Sequence, residues 1–453
     1  MMESTGHADL PLHYGTVPAW LADRMRDLGT LIVESLVINY GQREVLRRLS
    51  DPLWFQSLGA VLGMDWHSSG ITTSVMYALK RGINARAGEL GLYVCGGRGK
   101  YSRRTPEELL MLSEKASLDG EALVRSSKLC AKVDNTAVQD GFQLYQHNFI
   151  LSSSGDWAVV QQGMNTARKT ARRYHWCSSG LKSFIEEPHT GVTGENQGQI
   201  LNLTAEDAGG TRDAIMDFAK ESPDRVIREI QKVADPDSSF SVGYGGSSKV
   251  VGKGAALFLD GRGGNGVDVV GRSGQGFLFE EFAPPPEPEI EYTGRSIVLP
   301  SHHEVLKQDV DLKRLGGVLA AAYASEPKDF ESLLLTPGLG PRTLQSLALV
   351  SEVIHGTPSR FNDPARFSFA HGGKDGHPFP VPLKIYDESI RILHDSIEKS
   401  KMGFNEKSDC LNRLHRTALD IESHCSPFAD FEGTLAHEMR NSKAWGGRTV
   451  MDD

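Results

Sequence analysis

Gln143-Leu-Tyr-Gln-His-Asn-Phe-Ile-Leu151 and Asp156-Trp-Ala-Val-Val-Gln-Gln162 are two runs rich in β-branched and aromatic residues, and Ser152-Ser-Ser-Gly155 stands between them. Such side chains favour a pleated, half-buried backbone and a short Ser/Gly segment reverses the chain, so the stretch reads as a β-hairpin. Upstream, Leu92 to Cys95 is a further short strand, and residues 18 to 50 carry apolar side chains at helical spacing. Thr105-Pro-Glu-Glu108 has the form of a helix start: the threonine caps, Pro106 takes the first helical position and Glu108 closes a capping box. Thr204-Ala-Glu-Asp207 and Ser222-Pro-Asp224 are two more starts of this kind. Residues 1–235 are therefore expected to form a mixed α/β domain built around the hairpin, within an α+β chain.

The composition changes abruptly after Asp235. From Gly243 to Gly276 there are 12 glycines in 34 residues, followed by Phe282-Ala-Pro-Pro-Pro-Glu-Pro-Glu-Ile290. Glycine-rich chain loses much entropy on ordering and a proline run is extended and stiff, so residues 236–300 read as a linker or insertion. A glycine-bent β-hairpin pairing Ala255-Ala-Leu-Phe-Leu259 with Val267-Asp-Val-Val270 is the rival reading. Beyond it, residues 301–430 read as an all-helical domain, with apolar stripes at Ile390, Leu393 and Ile397 and at Leu411, Leu414 and Ala418, and residues 431–453 as a tail.

A chain of 453 residues has ample core for two domains, and 49 basic against 58 acidic residues excludes a surface that is basic throughout. The five cysteines (Cys95, Cys130, Cys177, Cys410, Cys425) include no C-x-x-C pair, which fits reduced thiols in a cytoplasmic protein. No run of 18 uncharged apolar residues and no signal-type start is present, so neither a membrane span nor export is expected.

Phe330 to Ile354 carries the clearest physical motif. A short apolar helix ends at Thr336, a Pro-Gly-Leu-Gly-Pro turn follows, and Pro341 opens a second helix striped by Leu347, Val350 and Ile354. This resembles a helix-hairpin-helix, a module that grips a nucleic-acid backbone. Gly338 and Gly340 would let the backbone approach closely, the free N–H groups of the second helix would face a phosphate, and Arg342 would add charge. Two acid-free basic islands accompany it. Residues 91–105 hold Arg98, Lys100, Arg103 and Arg104, and residues 165–183 hold five cations, Arg168, Arg172 and Arg173 among them, with Tyr174, His175 and Trp176 suited to stacking. Gly96-Gly-Arg-Gly-Lys100 could form an anion nest, but Val94 and Tyr101 break the Walker A pattern.

Candidate catalytic groups are Asp65 and His67 before a Ser/Gly loop, Lys100, Lys132, Gln162 at the end of the hairpin, and His175. A metal-dependent nuclease needs carboxylates and often a histidine around Mg²⁺ or Mn²⁺, and Asp134, Asp140 and His147 supply those types. His371, Lys374, Asp375 and His377 lie within seven residues of a Gly-rich loop and form a further candidate site for a phosphate or a metal.

Leu10-Pro-Leu-His-Tyr-Gly15, Arg48-Leu-Ser-Asp-Pro52, Val61-Leu-Gly-Met-Asp-Trp-His-Ser-Ser-Gly70, Ala131-Lys-Val-Asp134, Gln161-Gln-Gly-Met164, Arg173-Tyr-His-Trp176 and His371-Gly-Gly-Lys-Asp-Gly376 together resemble the prokaryotic family catalogued as domain of unknown function 763. The resemblance runs from about residue 6 to 420 and implies no activity. The residues themselves lead to a DNA-binding protein of the repair or nuclease kind, contacting the backbone without reading sequence. The alternatives are a non-catalytic DNA-binding or scaffolding protein, and a small-molecule enzyme with a phosphate nest at Gly96–Lys100.

Overall fold

The two β-rich runs pair as expected in the computed structural model, which describes residues 6–7, 10–11, 19–64, 69–233, 312–365, 367–368, 383–401, 403 and 407–416. Strand β5 (Gln143–Ser152) lies antiparallel to β6 (Trp157–Asn165), and Ser152 N–H donates to Asp156 O at 2.8 Å across a turn in which Gly155 adopts φ +88°. Positive φ costs glycine nothing, hence its place there. Strand β3 (Leu92–Arg98) flanks β5, and β7 (Thr170–Cys177) and β8 (Gly191–Thr193) continue the sheet beyond β6, all antiparallel. Short strands finish it: β1 (Gly6–His7) pairs in parallel with β11 (Phe367–Ser368), which pairs in parallel with β8, and β2 (Leu10–Pro11) pairs with β7. A smaller sheet joins β4 (Val138–Gln139), β9 (Gln199–Asn202) and β10 (Phe361–Asn362).

Alternate residues of each central strand enter opposite cores, as the period of two requires. Val94, Ile150, Ala158 and Val160 pack with helices α1 (Ala19–Tyr40), α2 (Gln42–Leu49), α3 (Pro52–Val61) and α4 (Gly70–Ala85). The short α5 (Ala87–Leu90) leads into β3. Cys95, Phe149, Leu151, Trp157, Val159 and Trp176 face the other way, against α6 (Thr105–Ala116), α7 (Gly120–Lys132), α8 (Gly209–Lys220) and α9 (Pro223–Val233). The central sheet is thus covered on both faces. The mixed α/β reading with antiparallel pairing holds, and no described helix is long and apolar enough to cross a membrane.

Two expectations need correction. Helices α10 (Leu312–Ser325), α11 (Phe330–Leu334) and α12 (Pro341–His355) do not build a core of their own. Leu315, Leu333, Leu344 and Leu347 join the same apolar cluster as Phe149 and Trp176, while Ile392 and Leu393 of α13 (Leu383–Lys399) and Leu414 of a helix over 407–416 join the cluster of α1–α4. Met1–Ser238 and Gly294–Asp453 belong to one compact unit, so residues 301–430 are neither a separate domain nor all-helical: β10 and β11 enter the sheets. The readings for 236–300 and 431–453 lie outside the described residues.

The second concerns Thr105. A 3-10 turn over Gly99–Arg104 runs straight into α6, so Thr105 sits inside the helical stretch and its hydroxyl donates to Ser102 O at 2.9 Å. Glu108 closes no capping box; its carboxylate accepts from Gly96 N–H at 2.8 Å and pairs with Lys80 at 2.8 Å.

Candidate functional site

Strand register assembles polar residues from five strands into two rows on opposite faces of the sheet. On the face covered by α3 and α4 the row reads Arg98, Gln146, Gln162, Arg173 and Thr193, each opposite the next. One residue along, on the other face, it reads Gly97, His147, Gln161, Tyr174 and Val192. A bulge between Leu144 and Gln146 sets this alignment at the start of β5.

The second row meets carboxylates. A π-helical turn, Val133–Ala137, follows α7 and carries Asp134, which is fully buried. Asp134 accepts from Gln161 Nε2, from Trp176 Nε1 at 2.9 Å and from His189 Nε2 at 2.5 Å. Gln161 Nε2 also donates to Cys130 O, so its Oε1 is the acceptor for His147 Nδ1–H at 2.6 Å, and His147 Nε2 in turn accepts from Ser127 Oγ at 2.9 Å. Burial drives the His147 pKa down, and the imidazole is neutral in this network. Beside it, Arg172 pairs with Asp140 at 2.9 Å and with Asp363 at 2.8 Å, and Tyr174 OH donates to Asp140 at 2.6 Å. Burial alone would lower the Arg172 pKa, but the attraction of Asp140 and Asp363 outweighs it and the net shift is upward. Burial raises Asp140 and Tyr174.

None of the five residues of the first row is an acid. Arg173 is fully buried, and among the described residues no carboxylate lies within ion-pair distance of it. Its Nε–H donates to His175 Nε2 at 2.8 Å, one terminal nitrogen to Gln56 Oε1 at 2.7 Å and the other to Thr72 Oγ1 at 3.3 Å, and the guanidinium lies 4.8 Å from the Phe55 ring centre. His175 Nδ1–H donates to Leu49 O, which leaves Nε2 free to accept; burial holds this imidazole neutral. The same burial pulls the Arg173 pKa down to about 9. Gln162 donates to Ser69 O and to the Tyr145 hydroxyl, and accepts from Thr72. Gln146 Nε2 donates to Thr72 O at 3.2 Å and Asn148 Oδ1 at 2.7 Å, whereas Gln146 Oε1 and Thr193 Oγ1 are buried without a hydrogen-bond partner.

These positions correct several expectations. Arg172, Arg173, Tyr174 and Trp176 are not a surface track for nucleic acid: β7 is covered on both faces, and all four side chains are internal. His175 is likewise internal, as is Gln162. Asp134, Asp140 and His147 do not form a metal ligand set, because each is taken up by protein donors or acceptors, Asp134 and His147 through the two ends of the Gln161 amide and Asp140 through Arg172 and Tyr174, and no trio of His, Cys, Asp or Glu suited to a metal occurs among the described residues. The Gly96 nest is filled by Glu108. Lys132 Nζ donates to Leu339 O at 2.6 Å, and its burial lowers its pKa. Lys100, Arg103 and Arg168 are exposed and Arg98 half-buried, with Lys100 5.4 Å from the Tyr101 ring centre and Arg98 6.0 Å from that of Tyr145. Asp65, His67, His371, Lys374, Asp375 and His377 lie outside the described residues. Gln146, Thr72, Gln56 and Asp363 were missed, since each gains its place only through tertiary register.

The Thr336–Gly340 turn faces outward. Gly338 is exposed at φ +84°; a Cβ there would meet Val318 at an ordinary 3.5 Å, so the backbone angle rather than space demands glycine. Gly340 is the extended N-cap of α12, and Arg342 in its first turn is exposed. The turn is braced from inside by the Lys132 bond to Leu339 O and by Gln139 Nε2, which donates to Pro341 O at 2.7 Å.

No curated protein and no solved structure matches the chain. A family described as protein of unknown function (DUF763) matches residues 6–381, which include the central sheet, both polar rows and the Pro-Gly turn, and the chain belongs to that family.

Proposed function

We propose that the protein binds the phosphate backbone of DNA, using α11, the Thr336–Gly340 turn and α12 as a helix-hairpin-helix. The observation that carries this reading is the outward turn itself. Pro337, Gly338 and Arg342 are exposed at the N-terminus of a 15-residue helix, where amides and dipole favour an anion, while Lys132 and Gln139 hold the turn from behind. The exposed cations Lys100, Arg103 and Arg168 supply further charge for a backbone that is not read by sequence. The reading is of binding without cleavage: Mg²⁺ or Mn²⁺ chemistry at Asp134, Asp140 and His147 is not proposed, since those groups already bond to protein partners.

Fluorescence anisotropy with labelled single-stranded and duplex DNA over a chloride series tests it. Affinity should fall linearly with the logarithm of salt concentration, and Arg342→Glu should weaken binding about tenfold and flatten the slope by about one phosphate. An absence of salt-dependent binding to either DNA form would overturn the proposal.

A further inference from the structure

The first polar row holds a cation that the described protein does not neutralise. Removing a guanidinium from water without a counter-charge is unfavourable, and buried arginines are ordinarily paired. Of the five N–H donors of Arg173, three are used, by His175, Thr72 and Gln56. Gln146, which shares Thr72 with Arg173, presents an Oε1 with no donor to accept from, and the Thr193 hydroxyl opposite Arg173 has no partner. Both side chains are almost wholly buried, at 2% and 0% exposure. Other buried side-chain atoms of the chain also lack a partner, but these two stand in one strand row with Arg173. The 16-residue helix α4 starts at this row: Ser69 O accepts from Gln162 and Thr72 binds Gln146, Gln162 and Arg173, while its N-cap Ser69 makes no side-chain capping bond.

We infer that this row is a binding site for a phosphate monoester carried on a hydroxyl-bearing group, the chemistry of a free nucleotide or of a nucleic-acid strand end. The two spare N–H donors of Arg173 supply contacts to the phosphate oxygens, and the dipole of α4 adds positive potential. Thr193 Oγ can donate to the same oxygens, and Gln146 Oε1 accepts from a ligand hydroxyl. At the β3 end the row runs to half-buried Arg98 and on to exposed Lys100 and Arg103, a cationic approach to the site. The site is separate from the outward turn at Gly338, so the two stand or fall independently.

Thermal melting of the full chain with inorganic phosphate, with 5′-AMP and with chloride at matched ionic strength tests the inference. Phosphate and 5′-AMP should raise Tm by about 2–5 °C over chloride when saturating. Gln146→Glu places a carboxylate in the row and should raise Tm without ligand and remove the response. Arg173→Gln should also remove the response, and Gln146→Glu decides the matter if that variant does not fold. Arg342→Glu should leave the response intact while weakening DNA. Oligonucleotides with and without a 5′-phosphate separate the sources: tighter binding of the phosphorylated strand assigns a strand end, equal binding assigns the free nucleotide. The inference is overturned if neither phosphate nor 5′-AMP protects the wild-type protein, or if protection survives in Gln146→Glu.

Discussion

Single residues in this protein act mainly through their neighbours across the fold. Glu34 on α1 accepts from Arg86 at 2.9 Å and from Lys401 at 2.9 Å, and these two cations, Arg86 foremost, lower its pKa from 4.5 to about 2. A carboxyl whose folded pKa is depressed stabilises the protein above its unfolded pKa and loses that contribution as pH falls through the folded value. Glu34→Gln should therefore lower stability by roughly 1 kcal/mol at pH 7, with Lys401 largely in solvent and screened. Melting curves of the two proteins should converge as pH falls below about 4.5 toward 2. A difference that stays constant over that range would show that Glu34 acts by packing rather than by charge.

At the scale of the element, the hairpin from Gln143 to Gln162 was legible because local composition and a Ser/Gly turn act over a few residues. The polar rows were not. They depend on which residue of β3 or β7 stands opposite Gln146 or Gln162, and nothing in a strand's own sequence states its register. The same limit explains why β7 read as a basic, aromatic surface track: its cations are balanced or held by Asp140, Asp363, Gln56 and His175, contributed by other elements. Gly96 shows how tight the register is. It adopts φ +84°, and a Cβ there would lie 2.2 Å from His147 O, a backbone atom that cannot swing away. Gly99, at φ +58°, has open space around it. Gly96→Ala should cost about 2–4 kcal/mol and Gly99→Ala about 1 kcal/mol in urea unfolding. Equal losses would mean that the β3–β5 approach is looser than the geometry indicates.

At the scale of the molecule, residues 236–300 read as a linker or insertion, and the change of composition there made the chain on either side look like two domains. Instead, Met1–Ser238 and Gly294–Asp453 form one compact unit. A fragment ending at Ser238 would lack Leu315, Leu333, Leu344 and Leu347, which fill one side of the sheet. It should show no cooperative melting transition, whereas two independent domains would leave the fragment folded. The ion pair between Arg172 and Asp363 spans 191 positions of sequence. On a ribosome adding about 5–20 residues per second, that separation is roughly 10–40 seconds. For that interval a newly made chain has Arg172 and its first acid, Asp140, but not yet Asp363, so the second half of this buried ion pair can close only after the segment that carries it has been made.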